Sequence, residues 1–70
     1  MVHTADEYDI RVELHYGDFT ALVYEFPSLS WIAETEDEAR AGMRQLLTEI
    51  IQEMLVSGEA IPAPGALLAR

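Results

Sequence analysis

The sequence contains no cysteine and no lysine, and its apolar runs are short. Without cysteine, the chain has neither a disulfide frame nor a thiolate zinc site. A membrane helix needs roughly 20 predominantly apolar residues in a row, and no segment approaches that length. The first residues, Met1 to Asp6, are polar and acidic, unlike a secretory or transit peptide. We therefore expect a cytoplasmic protein that does not enter a membrane.

Basic residues are also scarce, because four arginines stand against thirteen acidic residues and the formal net charge is -9. Such a surface repels a phosphate backbone and attracts a basic protein. The basic stripe with aromatic residues that a nucleic acid would need is missing. The composition predicts a basic protein partner and no binding of nucleic acid by the chain itself. Acidity that serves only solubility is the alternative.

Apolar and polar residues alternate from Tyr8 to Tyr16, which predicts a strand with one buried face. Gly17-Asp18 predicts a two-residue hairpin turn, followed by a return strand over residues 19–26. This turn would pair Tyr16 with Phe19, Leu14 with Ala21, and Val12 with Val23. The other face of the return strand then carries Leu22, Tyr24 and Phe26, so we expect that face to be partly covered as well.

The clearest local signal in the chain is a capping box, in which Thr35 begins a helix and Glu38 reaches back. The helix should run over residues 36–57 and end at Gly58. A short third strand over residues 31–34 precedes it, after Pro27 has ended the hairpin. The apolar arc of this helix is wider than a single sheet contact requires.

These elements predict an α+β fold, a three-stranded antiparallel sheet packed on one long α-helix in the order β-β-β-α. The proline pair Pro62 and Pro64 favours an extended segment that could add a fourth edge strand. We expect a flexible leader over residues 1–7, one domain over residues 8–64 and a frayed tail over residues 65–70.

No constellation of residues indicates catalysis or a bound metal, so we predict no enzyme activity and no cofactor. His15 lies on the outer face of the first strand, where a solvated histidine is a better interpretation than a general base. His3 could chelate a cation with Asp6, Glu7 and Asp9, but a flexible leader lacks the fixed geometry of metal sites. The glycines are scattered and form no phosphate-binding loop.

The chain does carry more apolar surface than one thin core of this size can bury. We predict a partner or dimer interface from seven residues: Leu22, Tyr24, Phe26, Trp31, Leu47, Ile51 and Leu55. A homodimer that hides these residues, with no further function, is one explanation. The other is that self-association uses one part of this surface and a basic partner uses another.

The order of these motifs resembles the HicB-like antitoxin family. A hairpin ending at Phe26-Pro27, a helix start at Thr35–Ala39 and a closing segment at Gly58–Pro64 match the elements of that family in order and spacing. Three features depart from the family pattern. Ala33-Glu34 replaces the usual Gly-Asp, the turn after Pro27 is shortened, and no helix-turn-helix or ribbon-helix-helix domain follows. The resemblance therefore gives no ground for autoregulation through DNA.

The resemblance implies a sheet packed on one helix, partly like ribonuclease H but without its catalytic acids. It also implies dimers or larger assemblies. Members of the family neutralise HicA, a small basic toxin that cleaves messenger RNA through a histidine, by covering its active site. We therefore expect an antitoxin-type interaction module with a basic toxin as its partner. An orphan dimeric scaffold or a regulatory domain that binds another protein remains the alternative.

Overall fold

The computed structural model describes residues 4–65 and contains one antiparallel sheet and one long helix. The three strands follow one another along the chain and across the sheet, with β2 in the centre. The elements are β1 (Ile10–His15), β2 (Asp18–Val23), β3 (Ser30–Ala33) and α1 (Glu36–Ser57). The predicted α+β fold, with a three-stranded antiparallel sheet on one helix, is confirmed. Within residues 4–65 the sheet has no fourth strand.

The hairpin between β1 and β2 turns one residue earlier than we predicted. Tyr16 and Gly17 form the turn with φ angles of 51° and 85°, the two left-handed positions that a type I′ turn requires. His15 therefore pairs with Asp18, and every partner on β2 differs by two residues from the predicted one. A shift of two keeps each side chain on its predicted face, since the side-chain period of a strand is two.

The predicted return strand is three residues too long, because β2 ends at Val23. The chain turns at residues 24–25, and the Phe26 N–H donates to the Val23 carbonyl at 3.2 Å. This turn carries Phe26 back into the core, where only 8% of it is exposed. Its ring meets the Tyr8 ring edge-on at a centroid distance of 5.3 Å. Phe26 is therefore a core residue and not part of the outer sheet face.

The helix begins and ends as its local signals predict. Thr35 Oγ1 accepts a hydrogen bond from the Glu38 N–H at 3.2 Å, and the Thr35 hydroxyl donates to Glu38 Oε1 at 2.9 Å. At the other end Gly58 has a φ of 79°, and its N–H donates to the Met54 carbonyl. The bonds of the Glu38 N–H and the Gly58 N–H pair backbone groups at the two helix ends. The Glu38 carboxylate reaches back to the Thr35 hydroxyl, whereas a complete capping box would have it accept from the Thr35 N–H.

One ridge of the helix, with residues spaced by four, forms its buried face. The ridge consists of Ala39, Met43, Leu47 and Ile51, and it packs against apolar residues of the sheet such as Ala21 and Val23. The large side chains of Met43 and Leu47 are completely covered. Leu47 and Ile51 are consequently part of the core, which corrects their assignment to an exposed interface.

Both flanking segments make contacts with this domain. Residues 5–7, part of the expected leader, form a 3-10 turn with Ala5 buried. Tyr8 donates its hydroxyl to the Pro62 carbonyl at 2.5 Å, and the Gly65 N–H donates to the buried Glu25 carboxylate. Gly65, the first residue of the expected tail, thus contacts the domain. The remainder of the expected leader and tail, residues 1–3 and 66–70, lies outside the described residues.

Candidate functional site

The face of the sheet that points away from the helix is the main candidate surface. Ala21 and Val23 face the helix and are buried, so Leu22 between them points outward. Residues paired directly across neighbouring strands share a face. The outer face therefore carries Arg11, Glu13 and His15 from β1, Asp18, Thr20 and Leu22 from β2, and Ser30 and Ile32 from β3.

A shallow groove runs along this outer face beside Tyr24. Its walls are formed mainly by Arg11, Glu13, Leu22, Tyr24, Pro27 and Leu29, and its volume is about 220 Å³. Pockets for small molecules usually measure about 300–1,000 Å³ and enclose most of the ligand. This groove is smaller than that, so it suits one or two side chains of a protein partner better than a whole metabolite.

The Tyr24 ring contacts a positively charged side chain of the same protein. The Cζ atom of Arg11 lies 4.7 Å from the centroid of the Tyr24 ring, within the range of a cation–π contact. The Arg11 Nε atom is also 3.8 Å from Asp9 Oδ2, in an exposed pair. Tyr24 as a whole residue is 46% exposed, so part of its surface is available to a partner.

Trp31 lies on the opposite face of the sheet from Leu22. It pairs with Ala21 and therefore faces the helix side of the sheet, at the edge formed by β3. Its indole lies against Gly42, where an added Cβ atom would be only 2.0 Å from Trp31 Nε1. Gly42 was missed as a structural residue, although a glycine inside a helix is itself a signal of close approach. Trp31 nevertheless remains 41% exposed.

The seven predicted interface residues separate into two groups. Leu22, Tyr24, Trp31 and Leu55 keep part or much of their surface exposed, whereas the other three are buried in the core. Only Leu22 and Tyr24 lie together in the groove. Four further apolar side chains, which the sequence pattern did not mark as exposed, are also open to solvent: Leu14, Tyr16, Ile32 and Val56.

Charge is distributed unevenly between the two edges of the sheet. All three described arginines lie near β1: Arg11 is part of it, Arg40 donates from Nη1 to the Ile10 carbonyl at 2.8 Å, and Arg44 pairs with Asp6. Arg40 also contacts Glu36. On the β3 side, Glu34 directly follows the strand, and Glu38 and Glu49 share the side of α1 that carries Gly42. Within residues 4–65 no basic side chain pairs with these three carboxylates.

The titratable groups are arranged as surface pairs or buried structural contacts. His15 Nε2 lies 2.8 Å from Glu13 Oε1, and both side chains are about half exposed. Burial, together with the nearby carboxylates of Glu25 and Glu7, raises the pKa of Tyr8 above its usual value. Within residues 4–65 no three His, Asp or Glu side chains are grouped so that they could hold a metal ion.

The surface that these elements form is therefore an acidic one with an aromatic groove on one face and an open strand at one edge. No helix in residues 4–65 is both long enough and apolar enough to cross a bilayer. Comparisons with known protein families, with curated proteins and with solved structures find no match for this chain.

Proposed function

We propose that this chain is an antitoxin-type interaction module that neutralises a small basic toxin of the HicA type by covering its active site. The observation that carries the proposal is the groove beside Tyr24, an apolar anchor site on the surface of a chain with a net charge of -9. The resemblance of the motif order to the HicB-like family is the reason for proposing a HicA-type toxin as the partner. The proposed likeness of the fold to part of ribonuclease H rests on the same resemblance.

The negative surface charge and the apolar anchor residues would act at different steps of binding. The negative surface accelerates encounter with a cationic partner, and it loses this effect as salt is added. Apolar and aromatic anchors that become buried hold the complex together and determine its lifetime. An inhibitor of a toxin has to remain bound at cytoplasmic salt concentrations, so the groove with Leu22 and Tyr24 is the more important part of the surface.

The contact between Arg11 and Tyr24 supports a cationic partner in a second way. The Tyr24 ring has a face on which a guanidinium group packs, and an arginine of the partner would take the place that Arg11 holds in the free protein. Such contacts contribute about 0.5–2 kcal/mol, depending on how far they are removed from water. The complex would form in the cytoplasm, where messenger RNA is cleaved, and the antitoxin would need no catalytic group or cofactor.

Co-expression with the adjacent small reading frame tests this function. If the neighbour alone arrests growth, and if the pair co-purifies at low and at high salt, the proposal holds. Tyr24→Asp should release the partner, since it removes the aromatic anchor. Tyr16→Asp is the matched control, because Tyr16 is fully exposed at the hairpin turn and outside the groove. A harmless neighbour and no basic co-purifying protein would reject the antitoxin.

The second candidate function is an orphan dimeric scaffold or regulatory domain without a toxin. The exposed apolar side chains outside the groove, among them Leu55 and Val56, favour self-association. We propose a homodimer or a larger assembly in either case. Sedimentation equilibrium at micromolar concentration should give a mass above the 7.9 kDa of one chain, and a monomer throughout would remove this part of the proposal.

A further inference from the structure

We propose that the free edge of β3 is the docking site for an extended segment of a basic protein, which adds to the sheet as a neighbouring strand. This inference rests on the proposed function for the charge of the partner, and it adds the mode of docking. In such strand addition, backbone hydrogen bonds supply affinity, and the alternating side chains of the edge strand supply specificity.

The register of the sheet determines which backbone groups at this edge are free. In a hairpin with a two-residue turn, the residues flanking the turn exchange both backbone hydrogen bonds. His15 and Asp18 are that pair, so every second residue of β2, beginning with Phe19, directs its N–H and C=O toward β3. It follows that Trp31 and Ala33 bond to β2. Ser30 and Ile32 direct their N–H and C=O away from the sheet.

The other edge of the sheet is protected in ways that β3 is not. By the same alternation, the Ile10 carbonyl points out from the free edge of β1, and Arg40 donates a hydrogen bond to it. β1 also carries the charged side chains of Arg11 and Glu13, which discourage pairing with another strand. The four residues of β3, Ser30–Ala33, include no charged side chain. The sheet therefore leaves β3 as its open edge.

The two faces of β3 offer an apolar anchor each. Ile32 is 64% exposed on the outer face, and Trp31 is partly exposed on the helix side. A strand added beside β3 places successive side chains on alternate faces. An apolar residue of that strand would therefore cover Ile32 on the outer face. The basic residue next to it would lie on the helix side, over Trp31 and beside the carboxylates there.

The charges around this edge favour a basic segment over a second copy of the chain. Gly42 touches Trp31, and Glu38 and Glu49 lie four residues before and seven residues after it, so they share its side of the helix. Glu34 directly follows β3. None of these carboxylates pairs with a described basic side chain. Two copies joined at β3 would bring these acidic borders together, whereas lysines or arginines would neutralise them.

Amide hydrogen exchange of the unmodified protein tests the docking mode, with a short peptide of alternating lysine and valine as the probe. In the free protein the amides of Ser30 and Ile32 should exchange fast. The peptide should slow both by about tenfold or more once it saturates the edge, while the Leu14 amide on the free edge of β1 stays unchanged. The matched peptide with glutamate in place of lysine should give no protection.

A pair of proline variants supplies the second measurement. Ile32→Pro removes an edge N–H on β3, and Leu14→Pro removes an edge N–H on β1 at a residue of nearly equal exposure, 62% against 64%. Neither N–H belongs to the pairing within the sheet. Losing one backbone bond and placing a ring at the contact should weaken peptide binding about tenfold or more for Ile32→Pro. Leu14→Pro should change it by less than about twofold.

Three results would overturn the inference. The first is that the peptide protects the amides of β1 and not those of β3. The second is that the lysine and glutamate peptides bind equally well. The third is that, without peptide, the Ile32 amide becomes more protected as the protein concentration is raised. The last result would show a second copy at this edge. If the toxin binds but leaves Ile32 unprotected, the docking mode fails while the antitoxin function stands. If the lysine peptide docks but the neighbouring reading frame is harmless, the docking mode stands and the antitoxin function fails.

Discussion

A methyl group at position 42 tests the contact between the helix and β3. In an exposed helix interior, glycine to alanine usually stabilises a protein by about 0.5–1 kcal/mol, since glycine loses more backbone entropy on folding. Here the new Cβ would be 2.0 Å from Trp31 Nε1 and 2.2 Å from Trp31 Cε2. Both distances are far below the roughly 3.5–4.0 Å of favourable contact. The indole must therefore leave its position on the helix.

The size and sign of the change in unfolding free energy follow from the gain in helix propensity and the cost of the clash with Trp31. Forcing an extra group into a packed contact costs about 1–3 kcal/mol. After subtraction of the gain in helix propensity, Gly42→Ala should lower the free energy of unfolding by about 1 kcal/mol. In a Trp31→Ala background the obstacle is gone, so the same change should instead raise it by about 0.5–1 kcal/mol. The two residues should thus show a coupling of about 2 kcal/mol.

Urea unfolding followed by circular dichroism measures all four chains of this cycle. Ala41 offers a matched control, because it is exposed on the same helix. Ala41→Gly should destabilise both backgrounds equally, by about 1 kcal/mol. If Gly42→Ala stabilises the protein to the same extent with and without Trp31, the indole does not rest on the helix, and the reasoning about this edge is wrong.

Three further predictions concern the cap, the core and a buried phenol. Thr35→Ala should cost about 1 kcal/mol in urea unfolding, because Glu38 loses its hydrogen-bond partners; no change would mean that the helix begins elsewhere. Leu47→Ala should cost about 2–5 kcal/mol and Leu55→Ala clearly less, since only Leu47 is fully buried; equal costs would refute this burial. Folding raises the pKa of Tyr8, so its contribution to stability is present below about pH 10 and is lost as the pH rises through the raised value. Tyr8→Phe should flatten this alkaline decrease, and an unaltered pH profile would exclude Tyr8 as its source.

The parts of the fold that local chemistry determines could be predicted from the sequence. The capping interaction of Thr35 with Glu38 involves neighbouring residues only, and so does the left-handed end of the helix at Gly58. The alternation of apolar residues in β1 correctly predicted that Ile10 and Val12 pack against the core. Leu14 and Tyr16, which the same alternation placed on the buried face, are instead exposed at the turn end of the hairpin. The hairpin register could not be predicted in this way, because registers that differ by two residues have the same pattern of faces.

The candidate surface depended on longer-range packing and was harder to predict. Continued alternation past Val23 would place the Glu25 carboxylate on the face toward the helix, and this break in the apolar pattern was an overlooked mark of the turn that sends Phe26 into the core. The apolar arc of the helix was too wide to show which part meets the sheet, and Leu47 and Ile51 were placed on the wrong side of that boundary. Gly42 was the overlooked signal, since its contact with Trp31 fixes which flank of the helix borders β3.

The position of Trp31 gives the protein a built-in optical reporter. It is the only tryptophan in the sequence, so the indole emission of the chain comes from one point, at the edge of β3. A partly exposed indole emits at longer wavelength than one shielded from water. Any molecule that covers this edge should therefore shift the emission to the blue, whereas a ligand confined to the groove beside Tyr24 should leave it unchanged. Unlabelled protein can in this way distinguish occupation of the two surfaces in a single titration.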